Sequence, residues 1–412
     1  MDSNSKHPSI CLLTETFYPL TGGGETQARV LALGLARRGF EVTLLTRRTD
    51  SQLPRVSTSD DVVIRRLGPT GTAHLNKWGL LLTAPVELFR RRRDFDVLLV
   101  CGYRVLGIPA MIVSLLTGKP CILKADSLGE HSGAFFDPGL RKFRLSHDSW
   151  PVRLIIRIRN RLFSRAAALV AISSAVEDEL RTVGVSEQQI IGIPNSVDTD
   201  AFQPAGPDKR ALVREKLEIQ SHRPVAVFTG RLVTTKGLPM LLRAWQRVVD
   251  SVPDALLILV GSGGLGLQNC EAELRGFVDR HDLGDNVRFT GSVEDVRDYL
   301  RAADVFVFPS RRESFGISVA EAMACGLPVI ASQIPGVGDV VVPEVTSRVF
   351  PAHNQDALTK AILSLLKDRA LRRKMGVAGR QRAESRFSEN QVIDRYASLI
   401  SGLVEGHEAT WK

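Results

Sequence analysis

The stretch Val225-Ala-Val-Phe-Thr-Gly-Arg-Leu-Val-Thr-Thr-Lys-Gly237 decides how this chain is built. A short apolar run predicts a buried strand, a glycine ends it, and two cations follow before a helical pattern over Gly237–Val252. The same strand–loop–helix unit then repeats. Ala255–Val260, Val287–Thr290, Val305–Pro309, Val329–Ser332 and Ser347–Phe350 read as strands. Gln268–Asp279, Val296–Ala302, Ser318–Ala324 and Gln355–Leu366 read as the helices between them. Toward the N-terminus an earlier series has the same rhythm. Its strands are Ser9–Thr14, Glu41–Thr46, Val62–Arg66, Val97–Val100, Pro120–Lys124, Ala168–Ile172 and Gln189–Ile193, with helices such as Glu25–Arg38 and Ser174–Thr182. Repeated β-α units imply mainly parallel sheets. The two series are separated by Ile193-Pro-Asn-Ser-Val-Asp-Thr-Asp-Ala-Phe-Gln-Pro204, rich in turn formers and without helical period, which reads as a linker. The expected fold is α/β: two Rossmann-like, doubly wound domains joined near residue 198. Ligands in such sheets bind at the carboxyl ends of strands, so a cleft between facing domains is expected.

The size agrees, since 412 residues suit two or three domains. Hydrophobic residues at 44% and charged residues at 24% exclude wholesale disorder, collagen and a polytopic membrane protein. The apolar stretches around Trp78–Leu88 and Asp96–Leu116 are broken by Pro, Gly or charge, and neither reaches the ~20 residues of a spanning helix. Cys11, Cys101, Cys121, Cys270 and Cys325 are scattered without C-x-x-C spacing, so neither a zinc site nor a disulfide framework is expected, and a reducing compartment is. The polar run Met1–His7 leads straight into a strand, which predicts no signal peptide. Lys and Arg number 54 against 45 Asp and Glu, a formal charge of +9. Residues 61–170 hold 18 of the cations and only 8 of the acids, so the excess lies in the N-terminal half.

Several loops carry residues suited to a phosphorylated ligand. In Phe17-Tyr-Pro-Leu-Thr-Gly-Gly-Gly-Glu25, three glycines let backbone N–H groups approach an anion at a helix start, although a tight turn needing small residues would look the same. Gln27 stands where a dinucleotide fingerprint would have its third glycine. Gly261, Gly263 and Gly266 do form G-x-G-x-x-G after a strand, but no acidic partner follows at a strand end. A glycine loop facing a nucleotide or diphosphate is therefore preferred to a nicotinamide or flavin site. Arg231 and Lys236, at a strand's carboxyl end, are placed to neutralise a diphosphate rather than to be ordinary solvated charges. In Phe308-Pro-Ser-Arg-Arg-Glu-Ser-Phe-Gly-Ile-Ser-Val-Ala-Glu321, Glu313 lies in a loop and Glu321 in the following helix. Gly316 and Ile317 at the junction offer free N–H groups. Carboxylates and amides of this kind suit sugar hydroxyls, though a cap and a helix-face charge would also explain the glutamates. A carboxylate pair could serve a glycosidase, but the Arg/Lys and glycine loops fit a phosphorylated donor better than water.

With these motifs assembled, the chain resembles the retaining GT-B glycosyltransferases of family four (glycosyl transferases group 1). The resemblance rests on Pro19…Gly22-Gly-Gly-Glu25, Arg38-Gly-Phe-Glu-Val42, Ile193-Pro-Asn-Ser-Val-Asp198, Gly230-Arg-Leu…Lys236-Gly237, Val260-Gly-Ser-Gly263 and Glu313-x7-Glu321, running nearly end to end. It implies a final helix, about Glu389–Val404, crossing back onto the first domain. The domains are then 1–197 with about 389–412, and 198–388. It implies that Arg231 and Lys236 hold the donor diphosphate. Glu313, with Ser314 and the Phe315–Ile317 backbone, would hold the donor sugar, and Glu321 the ribose. Gly230, Gly261 and Gly263 would line the nucleotide pocket, with the base near Gly291–Val293, and Gly23 and Gly24 would approach from the first domain. The implied donor is a nucleotide-sugar, UDP-linked by preference, used with retention and without a metal or other cofactor. Asp198-Thr-Asp200 falls in the linker rather than at a strand end. Many relatives carry a histidine after the first domain's fourth or fifth strand. Here the matching segment is Ile122-Leu-Lys-Ala-Asp-Ser-Leu-Gly-Glu-His-Ser-Gly133, so His131 is one catalytic candidate and Lys124, Asp126 and Glu130 are others.

The basic half bears on the acceptor, which the resemblance leaves as a glycan, a lipid-linked molecule or a small molecule. Trp150–Arg165 places Arg153, Arg157, Arg161 and Arg165 on one helical face, with Leu154, Ile155, Ile158 and Leu162 on the others. Arg141-Lys-Phe-Arg144 and Arg90–Arg93 add further cations. Such a helix can lie on an anionic membrane, or it can be a solvated face with its apolar stripe packed on its own domain. No recognition motif accompanies the charge, so nucleic acid is not an expected partner. The expected setting is cytoplasmic, with peripheral membrane contact if the basic helix binds lipid. A sugar-nucleotide epimerase or hydrolase of this fold, and a non-catalytic nucleotide-sugar binder, remain as alternatives.

Overall fold

The computed structural model describes residues 8–20, 22–71, 74–140, 144–264 and 268–406, with the backbone alone at 74–78 and 138. Residues 1–7 and 141–143 and Gly266, read above, lie outside the described residues. In chain order the first elements are β1 (Ser9–Thr14), α1 (Gly23–Ala36), β2 (Glu41–Arg47), β3 (Val56–Ser59), β4 (Val62–Leu67), α2 (His74–Arg90) and β5 (Val97–Cys101). There follow α3 (Tyr103–Thr117), β6 (Cys121–Lys124), α4 (Asp137–Leu140), α5 (Trp150–Phe163), β7 (Ala168–Ala171), α6 (Ser174–Thr182) and β8 (Ile190–Gly192). The second series is α7 (Pro207–Lys216), β9 (Val225–Thr229), α8 (Leu238–Ser251), β10 (Leu256–Val260), α9 (Glu271–Arg280) and β11 (Val287–Gly291). It continues with α10 (Arg297–Ala302), β12 (Val305–Phe308), α11 (Ile317–Ala324), β13 (Val329–Gln333), β14 (Ser347–Pro351), α12 (Gln355–Lys367) and α13 (Arg369–Phe387), and α14 (Glu389–Val404) ends it.

The chain forms two compact units, one of Met1–Ser196 with Glu389–Lys412 and one of Val197–Ser388. The first holds a sheet in the order β3-β4-β2-β1-β5-β6-β7-β8, parallel except for the β3–β4 hairpin. That hairpin was not anticipated, because Val56–Ser59 is short and mostly exposed. The second unit holds a parallel sheet in the order β11-β10-β9-β12-β13-β14. Central strands such as β5, β9 and β10 are buried along their whole length, which is why they read as unbroken apolar runs instead of alternating patterns.

In each sheet the strand order reverses direction once, between β1 and β5 in the first and between β9 and β12 in the second. Consecutive crossovers leave these points on opposite faces of the sheet, so the loops beyond them part and open a crevice. The sheet order thus selects the loops after β1 and β5, and those after β9 and β12, as the places where a ligand can enter each unit.

The last helix completes the first core. Val392, Ile393, Tyr396, Leu399 and Ile400 of α14 join Leu31 and Leu35 of α1 over strands β1, β2 and β5. Gly34 leaves no room for a side chain there, since a Cβ would lie 2.6 Å from Ile393 Cγ1. Arg38 caps the contact with an ion pair to Asp394 at 2.6 Å. Replacing Ile393 with Ala should therefore lower stability by about 2–5 kcal/mol, the usual cost of a truncated core side chain. Urea unfolding checks this, and an unchanged midpoint would show that α14 is not part of the core.

Candidate functional site

The second unit's site is built at its strand reversal. After β9 the chain passes Gly230, whose φ of 143° favours glycine, and turns through residues 231–236 to Gly237. At Gly237 φ is 71° and a Cβ would lie 2.0 Å from the Pro309 carbonyl oxygen, so only glycine lets this loop meet the one after β12. The two are then tied, because the Arg311 N–H donates to the Thr235 carbonyl at 2.8 Å. This docking joins the Lys236 ammonium to the Glu313 carboxylate in a short ion pair. Lys236 also sits 5.2 Å over the Phe308 ring. Arg231 is exposed at the start of the same loop, and its guanidinium has no partner among the described residues.

Beyond Glu313, Ser314 leads to Phe315, which is buried edge-on against Phe387 at 5.5 Å between ring centres. Gly316 then takes a left-handed φ of 95° and opens α11, leaving the N–H groups of its first turn, beginning at Ile317, at the site edge. Glu321 follows within α11. Burial alone pushes its carboxyl up to about 7, and no described residue bonds it. The loop after β10 approaches from the other side. A Cβ on Gly261 would stand 2.0 Å from the Gly230 carbonyl, and one on Gly263 would strike the Asn269 side chain. The Gly263 N–H donates to Glu271 at 2.9 Å, and this bond, ahead of the Arg275 pair, holds the Glu271 carboxyl below its ordinary range. Gly261 donates to the Gly291 carbonyl at 3.0 Å, which brings in the loop carrying half-buried Val293. The second-unit residues singled out from sequence therefore lie on the loops after β9, β10, β11 and β12, except Ile317 and Glu321, which belong to α11. Hollows of about 490 and 530 Å³ share Arg223 and sit around strand starts such as Leu256 and Pro224, away from these loops.

The first unit brings together a different set from the one expected. Gly23 and Gly24 are the first residues of α1, so the helix begins two residues before the position read from sequence. Gly24 faces Asp126, whose Oδ2 would lie 3.3 Å from a Cβ there, and Gly102 at the end of β5 meets the same oxygen at 3.0 Å. Asp126 pairs at 2.5 Å with Lys124, which is buried; burial is the largest single effect and opposes the Lys124 charge, but Asp126 together with Tyr396 and Cys101 raises its pKa overall. Glu130 is buried nearby. Desolvation, then repulsion from Asp126, pushes its carboxyl up to about 7, and its Oε2 has no hydrogen-bond partner among the described residues.

His131 is the correction. It is only 2% exposed, with its Nδ1 3.3 Å from the Tyr103 hydroxyl and its ring packed between Tyr103 and Phe163. Burial, helped by Arg159, lowers its pKa to about 3, so it is a neutral core side chain. The carboxylate at the glycine loop is Asp126, five residues earlier. Sequence spacing left Lys124, Asp126, Glu130 and His131 equivalent, and only the turn after β6 separates them. Another residue was missed altogether. Gln27, noted only for not being glycine, is buried and holds Ser196 by both its amide oxygen and nitrogen, at 2.8 and 2.9 Å. Asp198 is a turn former, its Oδ1 accepting from the N–H groups of Asp200 and Ala201.

Two family models match in the order of the two units: Glycosyltransferase Family 4 over residues 21–201 and Glycosyl transferases group 1 over residues 209–382. A D-inositol 3-phosphate glycosyltransferase of Kineococcus radiotolerans is 30% identical over 388 residues, 88% of this chain and 86% of that protein. This chain belongs to the family-four GT-B glycosyltransferases. The glycosyltransferase is also 35% identical, over 50% of its own length, to a GDP-mannose-dependent monoacylated alpha-(1-6)-phosphatidylinositol monomannoside mannosyltransferase of Corynebacterium glutamicum, and spans 55% of that relative's length. Among solved structures, sucrose-phosphate synthase from Thermosynechococcus elongatus superposes with a TM-score of 0.77 at 27% identity, over 97% of this chain and 100% of that one.

The raised Glu321 carboxyl gives this glycosyltransferase a pH signature. Folding binds its proton more tightly than the unfolded chain does, so stability falls as pH rises from the ordinary 4.5 through about 7. Glu321→Gln should thus stabilise the protein by up to about 3 kcal/mol at pH 8 and by much less at pH 5. Equal melting shifts at the two pH values would refute the raised Glu321 carboxyl.

Proposed function

We propose that this glycosyltransferase moves a sugar from a nucleotide-sugar to a glycan, lipid-linked or small-molecule acceptor, with retention and without a metal. The observation that carries the reading is the Lys236–Glu313 pair held at the β9/β12 reversal beside the start of α11. When a donor enters, Lys236 exchanges its carboxylate partner for the diphosphate, and exposed Arg231 supplies a second cation. Glu313 is then free to accept from the donor's sugar hydroxyls, with the Gly316 and Ile317 N–H groups donating. Glu321, when ionised, accepts from the ribose diol. Bond breaking places negative charge on the departing diphosphate, and two fixed cations in a partly dehydrated site stabilise that charge most where it develops. On the acceptor side, Gly23 and Gly24 leave room at the α1 start, and Asp126 supplies the carboxylate.

The donor base is tested directly. UDP-linked sugars are the expectation from resemblance, and the GDP-mannose in the corynebacterial relative's name supplies the comparison. A thermal-shift panel of UDP-, GDP- and ADP-sugars should raise the melting midpoint with one nucleotide and not the others. No shift with any would remove the donor assignment. Lys236→Ala should reduce turnover by 10²-fold or more, by analogy with the loss of one transition-state donor, and weaken donor binding with it. Unchanged kinetics would remove Lys236 from the diphosphate site. Excess EDTA should leave turnover unaltered, and a loss restored by a divalent cation would overturn the metal-free reading.

A further inference from the structure

The first unit carries its helices on two sides of its sheet. α1 and α14 pack together on one side, while α2, α3 and α5 follow crossovers running the other way along the strands. α2 lies against α3, and α3 against α5. The outward surface of this second layer is apolar where solvent would favour polar residues. α2 exposes Leu82, Val86 and Phe89, and α3 exposes Ile112, Leu115 and Leu116. In α5 the exposures are 79% for Trp150, 49% for Leu154, 66% for Ile155 and 65% for Ile158. What anchors α5 instead is Phe163, fully buried against Gly107 and Tyr103, and Arg159, which bonds the His131 carbonyl. The apolar stripe is not packed on its own unit. Scattered single apolar residues need no explanation, but ten on three neighbouring helices mark a docking surface.

Charge identifies the occupant. At about 100° per residue, the exposed arc of α5 runs through Arg153, Arg157 and Arg161 and then through Leu154, Ile158 and Ile155. One flank is cationic and the other apolar. The arginine flank borders a hollow of about 850 Å³, also lined by His147 and Asn160. None of these three arginines has a carboxylate partner among the described residues. Arg90 and Arg93 at the end of α2 are exposed on the same layer, and Arg92 lies 4.6 Å from the Phe89 ring. The core of a protein–protein interface is depleted of charge, whereas a lipid surface meets unpaired cations with phosphates and apolar side chains with the acyl boundary.

We propose that this layer, centred on α5, docks on an anionic bilayer. Arg153, Arg157 and Arg161 meet lipid phosphates, and Trp150, Leu154, Ile155 and Ile158 enter the interface below them. The docking narrows the proposed acceptor to one presented at a membrane, and only that step rests on the glycosyltransferase reading.

Sedimentation of the full chain with vesicles tests it, using phosphatidylcholine alone and phosphatidylcholine mixed equally with phosphatidylglycerol. The parent should sediment with the mixed vesicles, and less so as salt is raised. Substituting Gln at Arg153, Arg157 and Arg161 together should lower the partition on the order of 100-fold. Ile155→Ser with Ile158→Ser should lower it by at least about tenfold. Both variants should keep the parent's melting midpoint, because the altered side chains are exposed. A parent that stays in the supernatant, or binds neutral vesicles equally, overturns the proposal. So does a triple variant that sediments like the parent. Light scattering provides a further check: a parent dimer that the serine variant makes monomeric would show that a second copy covers the face. Normal sedimentation by a protein that transfers no sugar would support the docking and count against the enzymatic reading alone.

Discussion

There is no room for a side chain between Gly237 and the Pro309 carbonyl, and the second unit's chemistry depends on that fact. The close approach lets the loops after β9 and β12 bond backbone to backbone through Thr235 and Arg311. Once joined, they hold Lys236 against Glu313 while α8 and α11 start on either side. A donor of the kind proposed, with charge at one end and hydroxyls at the other, would meet a cation, a carboxylate and free amides whose spacing is already set. Prior placement of reacting groups is a general source of catalytic rate. Gly261 serves the same end, since it lets its loop lie against the Gly230 backbone.

The two units handle charge in the same way. In the second, Lys236 and Glu313 neutralise one another, while Glu321 is left to carry the cost of desolvation as a raised pKa. In the first, Lys124 and Asp126 are paired, and Glu130 beside them is pushed up by burial and by the Asp126 charge. A carboxyl poised near neutrality with an unbonded oxygen is a candidate for a partner. The first unit places Glu130 in the loop after β6, its Oε1 bonded to Ser127 and its Oε2 unpaired among the described residues, and the second places Glu321 within α11.

Every strand but β3, the linker and the placing of Arg231, Lys236 and Glu313 on loops after strands were legible in the chain. Buried parallel strands give continuous apolar runs, and loops at strand ends announce themselves by glycine and charge. The first unit's polar centre was not legible. Lys124, Asp126, Glu130 and His131 lie within eight positions on a segment without regular period, so nothing in the spacing says which side chain turns inward. His131 looked like a catalytic residue because of its chemistry, and Tyr103 and Phe163, distant in sequence, make it a core residue. The exposure of α5's apolar flank was left open for a related reason. Periodicity predicts an amphipathic helix but does not say whether its apolar side is packed or exposed.

What the sequence by itself determined is the fold class, the two-part organisation and the strand-end loops on which glycines and charged residues gather. Those follow from local pattern, from apolar periodicity and from glycines at turns. What only the tertiary structure decided is pairing and exposure: Lys236 with Glu313, Asp126 at the Gly24 loop, His131 in the core, and Ile155 and Ile158 in solvent. Each depends on which distant elements come to lie against one another. That is set by strand order and crossover direction, quantities with no signature in any short stretch of chain.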